Sequence, residues 1–227
     1  MSRIPAIAVL TALCGASLTA AATIDLAYTP FDSGIEGWQV RDTVNSNVNY
    51  FTPDWLAAGG VPTGHLEFAD VTPGGYVFEA PDSFEGDFSQ AVSNNGGVSF
   101  DWKADMIQDG KRASLSFYRG GARLWMVSDP DPTAGIWHSF NWTFATATGW
   151  QINYGSGAQL ATLGDMQYVL SDVTQMDISG ETWTGVSETT WLDNPRIYMQ
   201  NVPAPGAVAL LGLAAATGRR RRRINRR

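Results

Sequence analysis

Val98-Ser-Phe-Asp-Trp-Lys-Ala104 is a seven-residue alternation. In an extended chain successive side chains point to opposite faces. Val98, Phe100, Trp102 and Ala104 therefore share an apolar face, and Ser99, Asp101 and Lys103 share a polar one. The pattern predicts a strand with one face on a core and one in water. Ala113-Ser-Leu-Ser-Phe-Tyr118 repeats it, and Ala122–Val127, Trp137–Phe144 and Thr190–Ile197 read as further strands, the last interrupted by Pro195. Turn clusters separate them: Asn94-Asn-Gly-Gly97, Asp109-Gly110, Arg119-Gly-Gly121 and Asp129-Pro-Asp-Pro132. One stretch has a different period. In Ala161–Ser171, Leu163, Met166 and Leu170 recur at i, i+3 and i+7, which predicts a short amphipathic helix packed on the strands. The fold class is all-β, with this one short helix.

The two ends of the 227-residue chain have other compositions. Arg3 followed by the apolar run Ile4–Leu18, with Ala20 and Ala22 as small residues, reads as a signal peptide over 1–22, cut after Ala22 by signal peptidase. Cys14, the chain's one cysteine, lies inside it, so residues 23–200 carry no thiol chemistry and no disulfide framework. That central segment is one domain's worth of chain. It holds seven basic residues against 22 acidic ones, a net charge of about −15. Such a surface repels nucleic acid and favours divalent cations.

At the other end, residues 201–227 combine three parts. Pro203 and Pro205 break any preceding element and mark an extended spacer. Gly206 to Gly218 is an apolar segment, whose helix would span roughly 20 Å against roughly 30 Å of hydrocarbon. Arg219, Arg220 and Arg221 open the block Arg219–Arg223, and with Arg226 and Arg227 the tail carries seven arginines, which resist translocation. This order resembles the PEP-CTERM class of sorting signals, with Ala204 at the position of the usual Glu. The resemblance implies an exosortase-type processing enzyme, transient membrane insertion through the short C-terminal hydrophobic helix, and delivery to the cell envelope surface or the exterior.

The central domain carries a second resemblance. Tyr76-Val-Phe-Glu-Ala-Pro-Asp-Ser-Phe-Glu-Gly-Asp-Phe-Ser89, followed by Gly97-Val-Ser-Phe-Asp101, is similar to the laminin B (laminin IV) domain. Met176-Asp-Ile-Ser-Gly180 and Trp191-Leu-Asp-Asn194 follow in the same order, and Phe31-Asp-Ser-Gly-Ile-Glu-Gly-Trp38 looks like the start of a galactose-binding-type jelly roll. The resemblance implies a jelly-roll β-sandwich of a matrix or surface setting, without catalytic activity. Modules of this type often hold a structural Ca²⁺ where the first and last strands meet. Here Asp32 and Asp193 are the residues in that place, and the competing reading has Asp32 cap a turn and Asp193 bond backbone amides.

Catalytic signatures do not assemble. His65 and His138 sit singly in strand-like stretches, apart from any metal-ligand spacing. There is no G-x-S-x-G elbow and no Gly-rich loop leading into a helix. Of the nine tryptophans, Trp38, Trp102 and Trp191 read as core, and Trp55, in a loop-like stretch, is the candidate sugar platform. The sequence therefore points to an exported, non-catalytic β-sandwich in contact with extracellular polysaccharide. A secreted carbohydrate-active enzyme and a purely structural coat protein are the alternatives.

Overall fold

The computed structural model describes residues 22–183 and 185–201. Residues 1–21 of the expected 1–22 signal peptide lie outside them, as does the expected C-terminal sorting segment with Pro203, Pro205, Gly206 and Arg219, Arg220 and Arg221. The described chain forms fourteen strands and two short helices: β1 (Ala22–Tyr28), β2 (Gln39–Val44), β3 (Asn47–Phe51), β4 (Asp54–Leu56), β5 (His65–Ala69), β6 (Gly75–Glu79), α1 (Ser89–Ser93), β7 (Gly97–Ala104), β8 (Ser114–Arg119), β9 (Ala122–Val127), β10 (His138–Thr143), β11 (Gln151–Asn153), β12 (Gln159–Leu160), α2 (Leu163–Leu170), β13 (Gln175–Ser179) and β14 (Thr189–Asn201). They build two antiparallel sheets. The smaller runs β10-β7-β14-β5-β4, with β1 also on β14; the larger runs β12-β11-β9-β8-β13-β6-β2-β3. This is a jelly-roll β-sandwich.

The alternation seen in the sequence fixes which side of each sheet is core. Val98, Phe100, Trp102 and Ala104 are all buried, as are Leu192 and Ile197 of β14 beside them. The larger sheet answers with Val40, Phe78, Leu115, Phe117, Leu124, Ile152, Met176 and Ile178. Two polar contacts cross the sandwich. Trp102 Nε1 donates to the Ser179 carbonyl at 2.9 Å, and the Tyr76 hydroxyl meets Thr190 Oγ1 at 2.8 Å. Both satisfy polar atoms that burial would otherwise leave unpaired. Gly180 has to be glycine, because a Cβ there would lie 2.1 Å from the Tyr76 ring. At one end Trp38 sits edge-on between Phe31 and Phe84, with centroids 6.0 and 5.3 Å away, so it is core as the sequence indicates.

Three expectations change in detail. Pro195 does not interrupt the last strand. β14 runs 13 residues, and its register against β7 shifts between Asp193 and Arg196. This β-bulge takes a residue that has no N–H to give, and Asn194 adopts a φ of 49°. The bulge is also where β14 changes neighbour, from β5 up to Leu192 to β1 from Arg196 onward. Trp191 is the second change. Thr190 and Leu192 point inward, so period 2 turns Trp191 out onto the sheet's free face. The third is a second short helix, α1, just before the Asn94–Gly97 turn. The predicted helix is present as α2. A reciprocal capping box between Thr162 and Asp165 starts it, and Met166, Val169 and Leu170 form its buried stripe, while Leu163 stays exposed.

Candidate functional site

The free face of the larger sheet is built by the residues that the core rejects. Strand register places Gln39, Glu79, Asp177, Ser116, Trp125 and Gln151 directly opposite one another across six neighbouring strands. At the usual strand spacing this row spans about 24 Å. A second row beside it reads Gln175, Tyr118, Arg123 and Asn153. Arg41 flanks them from β2, opposite Tyr50 of β3, which is 58 % exposed.

These side chains hold one another in place. Arg41 donates through Nε to Glu79 Oε2 and through Nη2 to Asp177 Oδ2, each at 2.5 Å. Gln175 Nε2 donates to Asp177 Oδ1 at 2.8 Å and to Glu79 Oε2 at 3.2 Å. Asp177 is only 3 % exposed. Burial pushes its carboxyl up from the ordinary range, and the Gln175 hydrogen bond and the Arg41 charge oppose that rise. On the adjacent strands Arg123 donates through Nε and Nη2 to Ser116 Oγ at 3.0 and 2.9 Å. Its guanidinium lies 5.0 Å from the Trp125 ring and 5.9 Å from Tyr118. The result is a pre-ordered strip of carboxylate, amide, guanidinium and aromatic groups. It offers donors and acceptors in a plane, with half-buried Tyr118 and Trp125 as flat apolar surfaces.

The smaller sheet's free face carries a different cluster. Lys103 Nζ lies 3.9 Å from the Trp191 ring and 5.2 Å from that of Trp137, Trp191 Nε1 donates to Glu67 Oε2 at 2.5 Å, and His65 stands edge-on to Trp137 at 5.6 Å. His65 is buried, which lowers its pKa, and it lies in a strand as expected. Further along that face, Tyr28, Asp101, Asn141 and Arg196 line an open cleft of about 370 Å³.

The residues singled out from the sequence sit elsewhere. Trp55 belongs to β4, not to a loop. Its ring packs against the core margin and its Nε1 donates to the Phe31 carbonyl at 2.7 Å, so it anchors the Phe31 turn. Asp193 lies at the bulge, 1 % exposed. Its Oδ2 accepts from the Val61 amide at 2.6 Å and its Oδ1 from the Asn194 amide at 2.8 Å. Asp32 accepts from Thr63 Oγ1 at 2.8 Å in the same loop cluster. Both aspartates thus tie loops at the junction of the first and last strands, each through hydrogen bonds within the protein. The row is not legible in the sequence: β2, β6 and β13 alternate over few residues, and only their register aligns Gln39, Glu79 and Asp177.

The Asp193 environment makes a testable pH signature. Burial raises its carboxyl to about 6; the Val61 and Asn194 amides pull the other way, and the Asp101 and Asp32 charges add to the rise. The folded value lies above that of an unfolded Asp, about 3.9. The folded state therefore binds this proton more tightly, and the stability it contributes is present below about 4 and lost as pH rises through about 6. A carboxyl-carbon NMR titration is expected to give Asp193 a midpoint of about 6. A midpoint at or below the unfolded value would mean that the amide bonds outweigh burial.

No protein-family model matches the chain, and no curated protein matches it. Solved structures do. The L4b domain of human laminin alpha-2 aligns with a TM-score of 0.51 at 10 % identity, covering 77 % of this chain and 98 % of that domain. A family 11 carbohydrate-binding module from Clostridium thermocellum, in complex with a β-1,3-1,4-mixed-linked tetrasaccharide, gives 0.47 at 14 % identity over 79 % and 96 %. The family 30 module of the cellulosomal cellulase Cel9D-Cel44B of Clostridium thermocellum gives 0.46 at 16 % identity over 77 % and 96 %. At these identities the likeness is one of fold.

Proposed function

We propose that this chain is an exported, non-catalytic polysaccharide-binding module whose ligand lies along the free face of the larger sheet. The observation that carries the reading is the continuous Gln39–Gln151 row, about 24 Å long at strand spacing. An extended polymer needs an extended, pre-ordered strip, and hydroxyl-rich ligands are recognised by planar donors and acceptors beside aromatic faces. The carboxylates of the row favour binding over hydrolysis. Glu79 and Asp177 both accept from Arg41 and from Gln175, so each is committed to contacts within the strip and neither stands free as the separated acid and base that hydrolysis needs. Export is part of the same proposal. The 1–22 leader would be removed after Ala22, leaving β1 to begin at Thr23, and the Pro203–Arg221 signal would hand the chain to an exosortase-type enzyme at the envelope.

Affinity electrophoresis against a panel of soluble polysaccharides tests the binding. Wild type is expected to be retarded by at least one of them. Trp125→Ala and Arg123→Ala should each lose tenfold or more in affinity, on the order of a binding hot spot. An assay for reducing ends on the same panel separates the readings: release of sugar by wild type would replace the module with an enzyme. No retardation on any polysaccharide would leave a coat protein.

A further inference from the structure

Away from both sheet faces, three carboxylates converge where β5 ends and β14 begins. Asp70 follows β5, Glu188 precedes β14, and Glu181 comes two residues after β13. One oxygen from each lies within 4.8 Å of the other two. Asp70 is 3 % exposed and Glu188 1 %. Each uses one oxygen on backbone amides: Asp70 Oδ1 accepts from Thr72 at 2.9 Å, and Glu188 Oε1 accepts from Thr182 at 2.9 Å and Trp183 at 3.3 Å. Their second oxygens, Asp70 Oδ2 and Glu188 Oε2, have no hydrogen-bond partner. A further buried oxygen close by, Thr182 Oγ1, has none either.

Buried polar atoms are nearly always satisfied, and an unpartnered buried carboxylate oxygen costs more than a neutral one. Two such oxygens beside a third carboxylate concentrate negative charge out of water. Two clefts border the cluster, lined by Asp70 and by Glu181. An open cleft of about 480 Å³, lined by Asp70, Thr72 and Ser187, borders it on one side. A second cleft, lined by Glu181 and Lys111, borders it on the other. Lys111 offers one positive charge against three negative ones.

We propose that Asp70, Glu181 and Glu188 bind a divalent cation, and that the ion is Ca²⁺. All the donors are hard oxygens, one just after β5 and two from the connection between β13 and β14, with no nitrogen or sulfur among them, which suits calcium and not a transition metal. The ion would tie the end of β5 to the start of β14 and to the loop after β13, and so join the two sheets at one edge. The site is separate from the Asp32–Asp193 loop cluster and from the polysaccharide row.

The test uses the full-length protein stripped with EDTA, titrated with CaCl₂ by calorimetry and melted with and without the ion. Wild type should take up calcium. Its melting temperature should rise by about 5–10 °C at a hundredfold excess over Kd, because only the folded state gathers the three carboxylates. Glu188→Gln keeps the oxygen that accepts from Thr182 and Trp183, and Asp70→Asn is equally isosteric. Each should take up less calcium than wild type and, in EDTA, melt at or above the wild-type temperature, since a repulsive charge has gone. Asp193→Asn should retain the uptake. Three results would overturn the site: no uptake and no shift in wild type, as expected if water satisfies the oxygens; full uptake in both amide variants; or amide variants that melt below wild type in EDTA.

Discussion

Trp102→Ala is expected to destabilise the domain by about 3–5 kcal/mol, the usual range for truncating a fully buried aromatic. Trp102 is 0 % exposed and sits at the centre of the smaller sheet's inner face, between Phe100 and Ala104. Alanine would leave a cavity between the sheets and strip the Ser179 carbonyl of its donor. The carbonyl belongs to the opposite sheet, so the loss falls on the contact that holds the sandwich closed. For a domain of this size the melting temperature should drop on the order of 10 °C or more. Trp102→Phe separates the two contributions. It keeps most of the ring volume and loses the hydrogen bond, so it should cost about 1–2 kcal/mol. Equal losses for the two variants in chemical denaturation would mean that the cross-sheet bond dominates and the packing does not.

Arg41→Met is expected to cost roughly 3 kcal/mol, because it leaves Asp177 buried beside Glu79 with no cation between them. The loss should depend on pH. Burial already raises the Asp177 carboxyl, and losing the opposing Arg41 charge raises it further in the folded state, so the variant regains stability on acidification as Asp177 protonates, and loses it as pH rises through its folded value. Arg41→Lys should rescue only part of the loss. A lysine is a point charge and cannot bridge two carboxylates as the guanidinium fork does. Changing all three together, Arg41→Met with Glu79→Gln and Asp177→Asn, should be far milder than Arg41→Met alone, since no unpaired charge remains. Melting curves of the four proteins at neutral and mildly acidic pH check this. A triple variant as damaged as the single one would show that Arg41 works through packing.

What the sequence reveals and what it hides divide along strand length. Val98–Ala104 and Ala113–Tyr118 are long enough for their alternation to be read, and each gives a strand with the expected inner face, while Ala122–Val127 forms the strand expected there. The 161–171 periodicity likewise gives α2, with a capping box that Thr162 and Asp165 could have signalled. The first third of the chain is less legible. β4 has three residues and β3 is exposed along most of its length, so their stabilisation comes from pairing with β5 and β2. Trp55 reads as a loop residue for that reason. Trp191 misleads in another way: it is larger and more apolar than the buried Thr190 before it, and only the parity of β14 sends it outward. The candidate row was illegible because it is assembled by register. Glu79, Asp177 and Ser116 lie far apart in sequence and meet only through β6, β13 and β8. Asp70 likewise lies far in sequence from Glu181 and Glu188 and meets them only because β5 pairs with β14.

The central claim is that one face of the larger sheet binds an extended polysaccharide. The most direct measurement is an amide and side-chain NMR map of the isotope-labelled protein, titrated with a polysaccharide that retards it. The expected perturbations follow the row from Gln39 through Asp177 to Gln151, and include the Trp125 indole and the Arg123 guanidinium. The smaller sheet's face, with Trp191 and the Tyr28–Asn141 cleft, should stay unperturbed. Shifts confined to that smaller face, or none with any polysaccharide, would contradict the account.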